Sequence, residues 1–215
     1  MREVVRGALG WRAWSRRTAF VARVRLAARL AGSTVEVDVA DDVRVGDDVK
    51  VWVAPGTRNR LRIGPGSILG DRVYLELRGG DVDLGPRTDL RRDVVLNVSG
   101  RLRFAGGNIL SYSCAVHCAE EVALGELTSA SELVVIADSR HHFTDPDTHF
   151  YDNVVTAPVR IGRNVWLASK ATVASGATIG DCSLVAAHAV VTGEVPERTM
   201  VAGAPARSVR ETLPA

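Results

Sequence analysis

The sequence has few of the residues that mark several common classes of protein. Only three of its 215 residues are cysteines, Cys114, Cys118 and Cys182. This odd and sparse set is not the disulfide framework of a small secreted domain. Aromatic residues make up 5% of the chain, whereas hydrophobic residues make up 46% and charged residues 24%. These proportions exclude a disordered chain and predict a folded core in a chain whose length suits one domain.

The N-terminal segment lacks an uninterrupted apolar run. Arg23, Arg25 and Arg29 interrupt the apolar residues there. We therefore expect neither a secretory signal, which needs roughly 7–15 apolar residues, nor a membrane-spanning helix, which needs about 20. Ala, Leu and Arg favour a helix and Gly32 can end one, so residues 1–32 are predicted to form a basic helical arm.

Charge is unevenly distributed between this arm and the rest of the chain. The formal net charge is +2, yet the first 30 residues hold eight Arg and one Glu, which leaves −5 on the remainder. Two roles for the arm stay open. Its Val, Leu and Ala side can dock on the body or on another subunit. Alternatively, residues 1–31 can form a peripheral membrane contact, with Trp11, Trp14 and Phe20 in the headgroup layer and Arg on anionic lipids. Nucleic-acid binding is least favoured, because no base-reading motif accompanies the charge.

A six-residue repeat runs through the C-terminal part of the sequence. Every sixth residue is aliphatic, the next is small, and the residue four positions on is small or β-branched. The aliphatic positions are Ile161, Leu167, Val173, Ile179, Val185 and Val191, and the positions four on are Val165, Ala171, Ala177, Ser183, Ala189 and Val195. Neither a helix nor an alternating strand has this period. Three six-residue sides predict a triangular coil of about 18 residues per turn, with turns stacked about 4.8 Å apart.

The same repeat can be followed backwards with interruptions. Further inward positions are predicted at Val39, Val45, Val51, Ile63, Leu69, Leu75, Leu84, Leu90, Leu96, Leu102, Ile109, Ala115, Leu124, Ala130 and Ile136. About seven coils result, and the low aromatic content agrees with a narrow interior. Residues 138–158 leave the repeat as a long excursion loop, and such loops on rigid scaffolds often carry function.

Three segments resemble the hexapeptide-repeat acyltransferases of the left-handed parallel β-helix fold. They are VVIADSRHHFTDPD at 134–147, APVRIGRNVWLASKATV at 157–173 and VAGAPARSVR at 201–210. The similarity covers about residues 39–210 and points to the branch that acetylates sugars, antibiotics and surface-polysaccharide precursors. It implies an all-β fold, with a β-helix at 33–199 and a tail at 200–215 that completes a coenzyme A site. It also implies a homotrimer that uses acetyl-CoA, without a metal, in the cytoplasm or at the inner face of the membrane.

The resemblance also assigns catalytic roles. His141 is implied to be the general base that takes the proton from an acceptor hydroxyl or amine as that atom attacks the thioester. An imidazole suits this role because its unperturbed pKa, about 6.5, lies near working pH. Asp138 would orient or tune the ring, and the backbone N–H of Ser169 would donate to the oxyanion. Direct attack leaves the three cysteines without a role.

The implied coenzyme A site follows the C-terminal coils, where small residues let the ligand approach the backbone. Its members are Trp166, Ala168, Ser169, Ala186, Ala187, Arg207 and Arg210. Ala168 replaces the usual glycine of the family. The active site is implied to lie between neighbouring prisms, and the excursion loop would line it. His142, Asp145 and Tyr151 of that loop are candidates for binding the acceptor, and His142 is a second candidate for the base.

Other functions stay open on the sequence alone. The acceptor can be an antibiotic or another xenobiotic, or the chain can be a β-helix scaffold without transferase activity. A zinc carbonic anhydrase of the same fold is a remote alternative. The histidines stand at 117, 141, 142, 149 and 188, and these positions do not match the ligand spacing of that family.

Overall fold

A computed structural model describes residues 2–142, 147 and 149–212, without the side chains of residues 2–15 and 150. The proposed acceptor residue Asp145 and the side chains of Trp11 and Trp14 lie outside this description. The chain begins with one long helix, α1 (Arg2–Leu30), and continues as short strands that stack coil upon coil. The fold is an all-β left-handed parallel β-helix of about seven coils, as predicted.

Three sheets form the faces of a triangular prism. Face A stacks β1 (Thr34–Val39), β4 (Arg58–Ile63), β7 (Asp81–Leu84), β10 (Arg101–Phe104), β13 (Glu121–Leu124), β18 (Val159–Ile161), β21 (Thr178–Ile179) and β24 (Glu194–Val195). Face B stacks β2 (Arg44–Val45), β5 (Ile68–Leu69), β8 (Asp89–Leu90), β11 (Ile109–Leu110), β14 (Ser129–Ala130), β19 (Trp166–Leu167), β22 (Leu184–Val185), β25 (Thr199–Ala202) and β26 (Arg207–Glu211). Face C stacks β3 (Lys50–Val53), β6 (Tyr74–Leu77), β9 (Val95–Val98), β12 (Ala115–Cys118), β15 (Val135–Ala137), β20 (Thr172–Val173) and β23 (Val190–Val191).

Three strands lie outside the parallel stacking. The excursion forms an antiparallel hairpin of β16 (Ser139–His141) and β17 (Val154–Thr156), with a single 3₁₀ turn at Phe150–Asp152 before β17. The last strand, β26, turns back and pairs antiparallel with β25. We call the edges of the prism A–B, B–C and C–A, in the order in which the chain passes from face to face.

The inward positions predicted from the repeat form the core. All six aliphatic positions from Ile161 to Val191 are buried, and so are the six small or β-branched positions four residues on. The earlier positions are buried too, apart from three. Val51, in the first coil, is only partly buried, although it pairs with the inward residue Leu75.

Two of the predicted inward positions are wrong. Ile109 and Ala115 face outward, and Leu110 and Val116 occupy the core with 0% exposure. The cause is that β10 has two inward residues, Leu102 and Phe104, and the six-residue count to Leu110 and Val116 runs from Phe104, the second of them. Accordingly, Arg101 pairs with Glu121, 20 residues on, whereas Arg160 pairs with Thr178 after the predicted 18.

The N-terminal helix packs on the first coil. Phe20, Val24 and Ala28, spaced one helical turn apart, are buried against it. Arg17 donates hydrogen bonds to the main-chain oxygens of Val39 and Ala40, at the open end of the prism. The placement of Phe20 in a lipid headgroup layer is therefore wrong, because its ring is 0% exposed. Within residues 2–142, 147 and 149–212, no helix combines the length and the apolarity needed to cross a bilayer.

Successive corners approach each other so closely that some positions admit only glycine. A Cβ built on Gly125 would lie 2.5 Å from the carbonyl carbon of Gly162 in the next coil. Such a contact is shorter than carbon atoms tolerate, and the opposing atom is backbone that cannot move aside cheaply. The small residue that follows each inward aliphatic residue therefore reflects the spacing of the coils.

We expect Gly125→Ala to lower the free energy of unfolding by about 1–3 kcal/mol, the usual cost of forcing a methyl group into a packed site. Gly193→Ala is the matched control, because a Cβ there meets nothing within 4 Å. The control should be neutral or slightly stabilising. Denaturant unfolding of the two variants measures the difference, and equal stabilities would contradict the packing argument.

Candidate active site

A buried carboxylate anchors the start of the excursion. Asp138 is 0% exposed. Its two oxygens accept hydrogen bonds from the backbone N–H groups of Ala119 at 2.7 Å, Glu120 at 2.8 Å and Glu121 at 2.7 Å. Hydrogen bonds to a charged acceptor are the strong ones in proteins. Asp138 therefore ties the base of the hairpin to the corner of the preceding coil.

The main chain of Asp138 closes the hairpin from the other side. Its carbonyl oxygen accepts a hydrogen bond from the N–H of Ala157 at 2.8 Å and another from the Ser175 hydroxyl at 3.0 Å. On the hairpin itself, His141 pairs with Val154. The result is that His141 stands on a paired strand only three residues from a fixed, buried point.

The ring of His141 belongs to an exposed aromatic cluster. It meets the Tyr151 ring edge-on, with centroids 5.2 Å apart and planes at 73°. Tyr151 in turn stacks on His149 at 5.4 Å and 8°. His142 is exposed, and its N–H donates to the carbonyl of Asn153 at 2.8 Å. The structure thus brings Tyr151 beside His141, whereas His142 contributes a backbone contact to the hairpin.

Ser169 lies at a different corner, on the B–C edge. The N–H of Ala171 donates to the carbonyl of Ala168 at 3.1 Å, and Lys170 has a positive φ of 62°. This is the pattern of a type II turn with Ser169 at its second position. Within the described part of the chain, the Ser169 N–H has no hydrogen-bond partner. It is therefore available as a donor.

A carboxylate lies beside Ser169 in the preceding coil. Glu132 accepts a hydrogen bond at 2.9 Å from the hydroxyl of Ser169 and another at 2.9 Å from that of Ser111. Its own backbone N–H and these two hydroxyls lower the pKa of the Glu132 carboxyl below its ordinary value. This corner therefore holds a fixed negative charge at neutral pH, which orients the side chain of Ser169 and leaves its N–H available.

The residues implied for coenzyme A line face B and its B–C edge. Ala168 and Ala186 follow successive strands of face B and are half-buried, and Ala187 is exposed. The indole of Trp166 is 52% exposed, and its Nε1–H donates to the Ser131 hydroxyl at 3.0 Å. In the last strands, Arg207 pairs with Ala202 and Arg210 with Met200. Both arginines are exposed, so the small-residue edge ends beside two available guanidinium groups.

The structure separates the two groups of candidate residues within one chain. The hairpin that carries His141 leaves the prism at the C–A edge, directly after β15. Ser169 precedes β20 on the B–C edge. Because β15 and β20 pair on face C, that face lies between the two edges. His141 and the Ser169 N–H of one chain therefore lie on opposite sides of face C, and one prism does not bring them to the same substrate.

A groove on the early coils was not foreseen from the sequence. It encloses about 370 Å³ on face B, and Arg91, Arg92 and Tyr112 form one wall. The guanidinium carbons of Arg91 and Arg92 lie 5.7 Å and 5.3 Å from the centre of the Tyr112 ring. Tyr112 is 43% exposed, in a chain where aromatic side chains are scarce. The six-residue repeat constrains only inward positions, so it gives no signal for this outward ring.

Two of the three cysteines lie in the interior. Cys114 and Cys118 are buried inside the prism. Burial raises the pKa of the Cys114 thiol to about 11 and, with the nearby Asp138 carboxylate, that of Cys118 to about 12. Both thiols therefore stay protonated at neutral pH. Among the described residues, no group of three or more His, Cys, Asp or Glu side chains is placed to hold a metal ion.

Comparison with known proteins identifies relatives. Residues 158–193 match the family model described as bacterial transferase hexapeptide (six repeats). Nodulation protein L of Rhizobium meliloti is 31% identical over 144 residues, which are 66% of this chain and 78% of that protein. A "Probable acetyltransferase" of Mycobacterium tuberculosis is 27% identical over 169 residues, 78% of this chain and 49% of that protein.

The solved structure of the polysialic acid O-acetyltransferase OatWY has the same fold. It superimposes with a TM-score of 0.66 at 15% identity, covering 84% of this chain and 85% of that one. The chain spans about half the length of several curated relatives that it matches. The six-residue repeat, the β-helix and the similarity to Nodulation protein L lead to one conclusion. The chain belongs to the hexapeptide-repeat transferase family of the left-handed β-helix fold.

Proposed function

We propose that this protein is an acetyl-CoA-dependent acetyltransferase that acetylates a hydroxyl, or an amine, of a sugar or polysaccharide precursor. The observation that carries the proposal is the anchored hairpin. It holds an exposed imidazole, His141, three residues from the buried Asp138 carboxylate. Family membership and the acetyltransferase relative support the reaction class. The polysialic acid O-acetyltransferase shares the fold of this chain. At 15% sequence identity it does not indicate which substrate this chain acetylates.

His141 acts as the general base in this mechanism. As the acceptor oxygen attacks the carbonyl carbon of the thioester, the imidazole takes the acceptor proton. Negative charge develops on the carbonyl oxygen, and the free N–H of Ser169 stabilises it by donating a hydrogen bond. When the carbon–sulfur bond breaks, the protonated His141 returns the proton to the departing thiolate. The acetyl group passes directly to the acceptor, so no enzyme thiol takes part.

The donor substrate fits the edge formed by small residues and capped by arginines. Ala168, Ala186 and Ala187 leave the backbone accessible to a narrow pantetheine chain, and the exposed Trp166 ring provides an apolar wall. Arg207 and Arg210 carry the positive charge that phosphate groups require. A helix terminus or glycine-rich loop is not needed for this mode of binding.

We propose that the active site is completed by a second copy within a homotrimer. If face C of each copy points to the three-fold axis, the C–A edge of one copy meets the B–C edge of the next. His141 of one copy would then face Ser169 of its neighbour. From β9 onward, the outward residues of face C carry no Asp, Glu, Lys or Arg: they are Val95, Asn97, Ala115, His117, Val135, Ala137, Thr172 and Val190.

Face A differs in a way that supports this choice. Its outward positions hold ion pairs that link neighbouring coils, such as Arg62 with Asp83 at 3.3 Å and Arg101 with Glu121 at 3.0 Å. Burying such charges between subunits would carry a large desolvation cost. Face C has no such charges from β9 to β23, so its burial is the less costly alternative.

The acceptor would bind where the hairpin approaches the neighbouring edge. His142, Asp145 and Tyr151 remain the proposed contacts on the hairpin side. The groove with Arg91, Arg92 and Tyr112 extends the B–C edge towards the early coils and offers an aromatic ring and guanidinium groups to a sugar. An antibiotic acceptor is the second candidate, because such compounds carry the same hydroxyl and amine groups.

His141→Ala should lower kcat by about 10²–10⁴-fold, the usual contribution of a general base. His142→Ala is the comparison, since it changes the adjacent histidine: as a proposed acceptor contact it should raise KM for the acceptor and keep kcat within a few-fold. The measurement is thiol release from acetyl-CoA over a panel of nucleotide sugars, lipid-linked sugars and aminoglycosides. If His142→Ala is the inactive variant instead, the base is misassigned.

Ser169→Pro removes the proposed oxyanion donor without disturbing the turn. Proline is favoured at the second position of a type II turn, and the chain already has Pro65 before Gly66, which has a positive φ of 72°, at a corner of the A–B edge. We expect kcat to fall by about 10²–10³-fold with unchanged thermal stability. Ser169→Ala, which keeps the N–H and loses only the hydroxyl, should stay within a few-fold of wild type.

A mixed-subunit experiment extends this test to the shared site. Chains with His141→Ala and chains with Ser169→Pro, refolded together, should regain activity, because some interfaces then combine two intact halves. Each variant refolded alone is the control. No recovery, in mixtures that form mixed trimers by mass spectrometry, would place both groups in one chain and refute the shared site.

Asp138→Asn tests how the anchor supports catalysis. The amide replaces one of the two acceptor oxygens, so the free energy of unfolding should fall by about 2 kcal/mol or more. If Asp138 acts by holding the strand of His141, kcat falls while the shape of the pH–activity profile stays the same. Thermal unfolding and kcat/KM against pH measure both. A displaced pH profile without loss of stability would instead show direct tuning of the base.

A further inference from the structure

The docking of α1 leaves the opposite side of the helix exposed. Phe20, Val24 and Ala28 define the buried side. On the far side, Ala19, Ala22, Leu26 and Leu30 follow each other at spacings of three or four residues, which places them in one line along the helix. Leu26 is 55% and Leu30 80% exposed. We call these four residues the outer stripe.

Arginines flank the outer stripe on both sides. At 100° per residue, Arg23 lies on one side, and Arg25 and Arg29 lie on the other. All three are exposed. Within the described part of the chain they form no ion pair. Their charge is therefore available to an external partner.

The neighbouring arginines have a different environment. Arg16 pairs with Asp47 at 2.8 Å and Arg17 with Asp41 at 3.1 Å. These two ion pairs hold the helix on the first coil. The basic character of the arm therefore has two parts: one set of arginines fixes the helix to the prism, and the other set faces outward around an apolar line.

We propose that the outer stripe and its flanking arginines bind the surface of an anionic lipid bilayer. A helix with an apolar line between two rows of cations lies in the headgroup layer, where the apolar side chains enter the acyl boundary and the cations meet lipid phosphates. Charge complementarity favours this partner, because the first 30 residues hold eight Arg and one Glu while the rest of the chain is net negative. The body would be repelled by the surface that attracts the arm.

Other partners explain the pattern less well. Nucleic acid would use the arginines but leave the exposed leucines in water. A symmetric contact with a second copy would place equivalent arginines opposite each other, since a two-fold interface uses the same patch twice. The helix packs on β1, β2 and β3, at the end of the prism away from β25 and β26. The membrane surface proposed here is therefore separate from the proposed coenzyme A site, and the proposal does not depend on acetyl transfer.

Vesicle co-sedimentation of the full-length protein tests the proposal. Vesicles of phosphatidylcholine with about 30% phosphatidylserine should bind the protein, and this binding should weaken with salt. Pure phosphatidylcholine vesicles should bind it at least about tenfold more weakly. Combining Arg23→Gln, Arg25→Gln and Arg29→Gln should lower binding to the anionic vesicles about tenfold or more. The pair Leu26→Gln and Leu30→Gln should also weaken it.

The matched control removes the same number of positive charges from the body of the protein. Arg58→Gln, Arg103→Gln and Arg163→Gln replace three exposed arginines of the body and should leave vesicle binding unchanged. Circular dichroism and thermal unfolding verify that the variants fold. The proposal would be overturned if the protein bound equally to both vesicle types. It would also be overturned if the helix variant and the body variant, each with three arginines replaced, lost the same amount of vesicle binding. If the leucine pair instead breaks up a larger oligomer in solution, the stripe is a protein contact and the membrane role is refuted.

Discussion

The close stacking of coils is the constraint on which the rest of the structure depends. Strands of successive coils lie about 4.8 Å apart, so every corner rests on the backbone of the next corner. This spacing explains why a Cβ on Gly125 has no room. It also explains why the third residue of many corners has a positive φ, as Lys170 and His188 do, since the turn must be tight. The inward residues then form continuous columns, and the core follows without further specification.

The excursion leaves this arrangement intact. β13 pairs with β18 directly, with Val122 opposite Val159, although a whole hairpin lies between them in sequence. The ladder therefore continues as if the insertion were absent. Asp138 makes this possible, because its carboxylate satisfies three N–H groups of the corner that the departing chain would otherwise leave open. The catalytic proposal for His141 thus depends on a residue whose carboxylate accepts its three hydrogen bonds from the main chain.

The sequence predicted the repetitive parts of the molecule well and the individual ones less well. The inward positions from Ile161 onward are confirmed because each depends only on a six-residue count. Leu110 and Val116 were missed because β10 has two inward residues, and the six-residue count continues from the second of them, Phe104. The contacts of Asp138 could not be foreseen, since they link residues that are adjacent only across coils.

The same distinction holds for the candidate sites. Neither the pairing of His141 with Tyr151 nor the wall of Arg91, Arg92 and Tyr112 follows from the period, because both join outward side chains that the repeat does not constrain. The docked side of α1 likewise depends on the shape of the first coil. Composition indicates an amphipathic helix, but only packing decides that Phe20 is inside and Leu26 outside.

Because every coil adds the same height, the prism works as a spacer of defined length. Four steps of face C separate β3, in the coil that α1 covers, from β15, where the hairpin begins. At about 4.8 Å per step this is a distance of about 19 Å. Because α1 lies between the first coil and any surface at its outer stripe, such a surface is held more than about 19 Å from the base of the hairpin. A whole coil added or removed would change this reach by about 5 Å and leave the chemistry of either end unaltered.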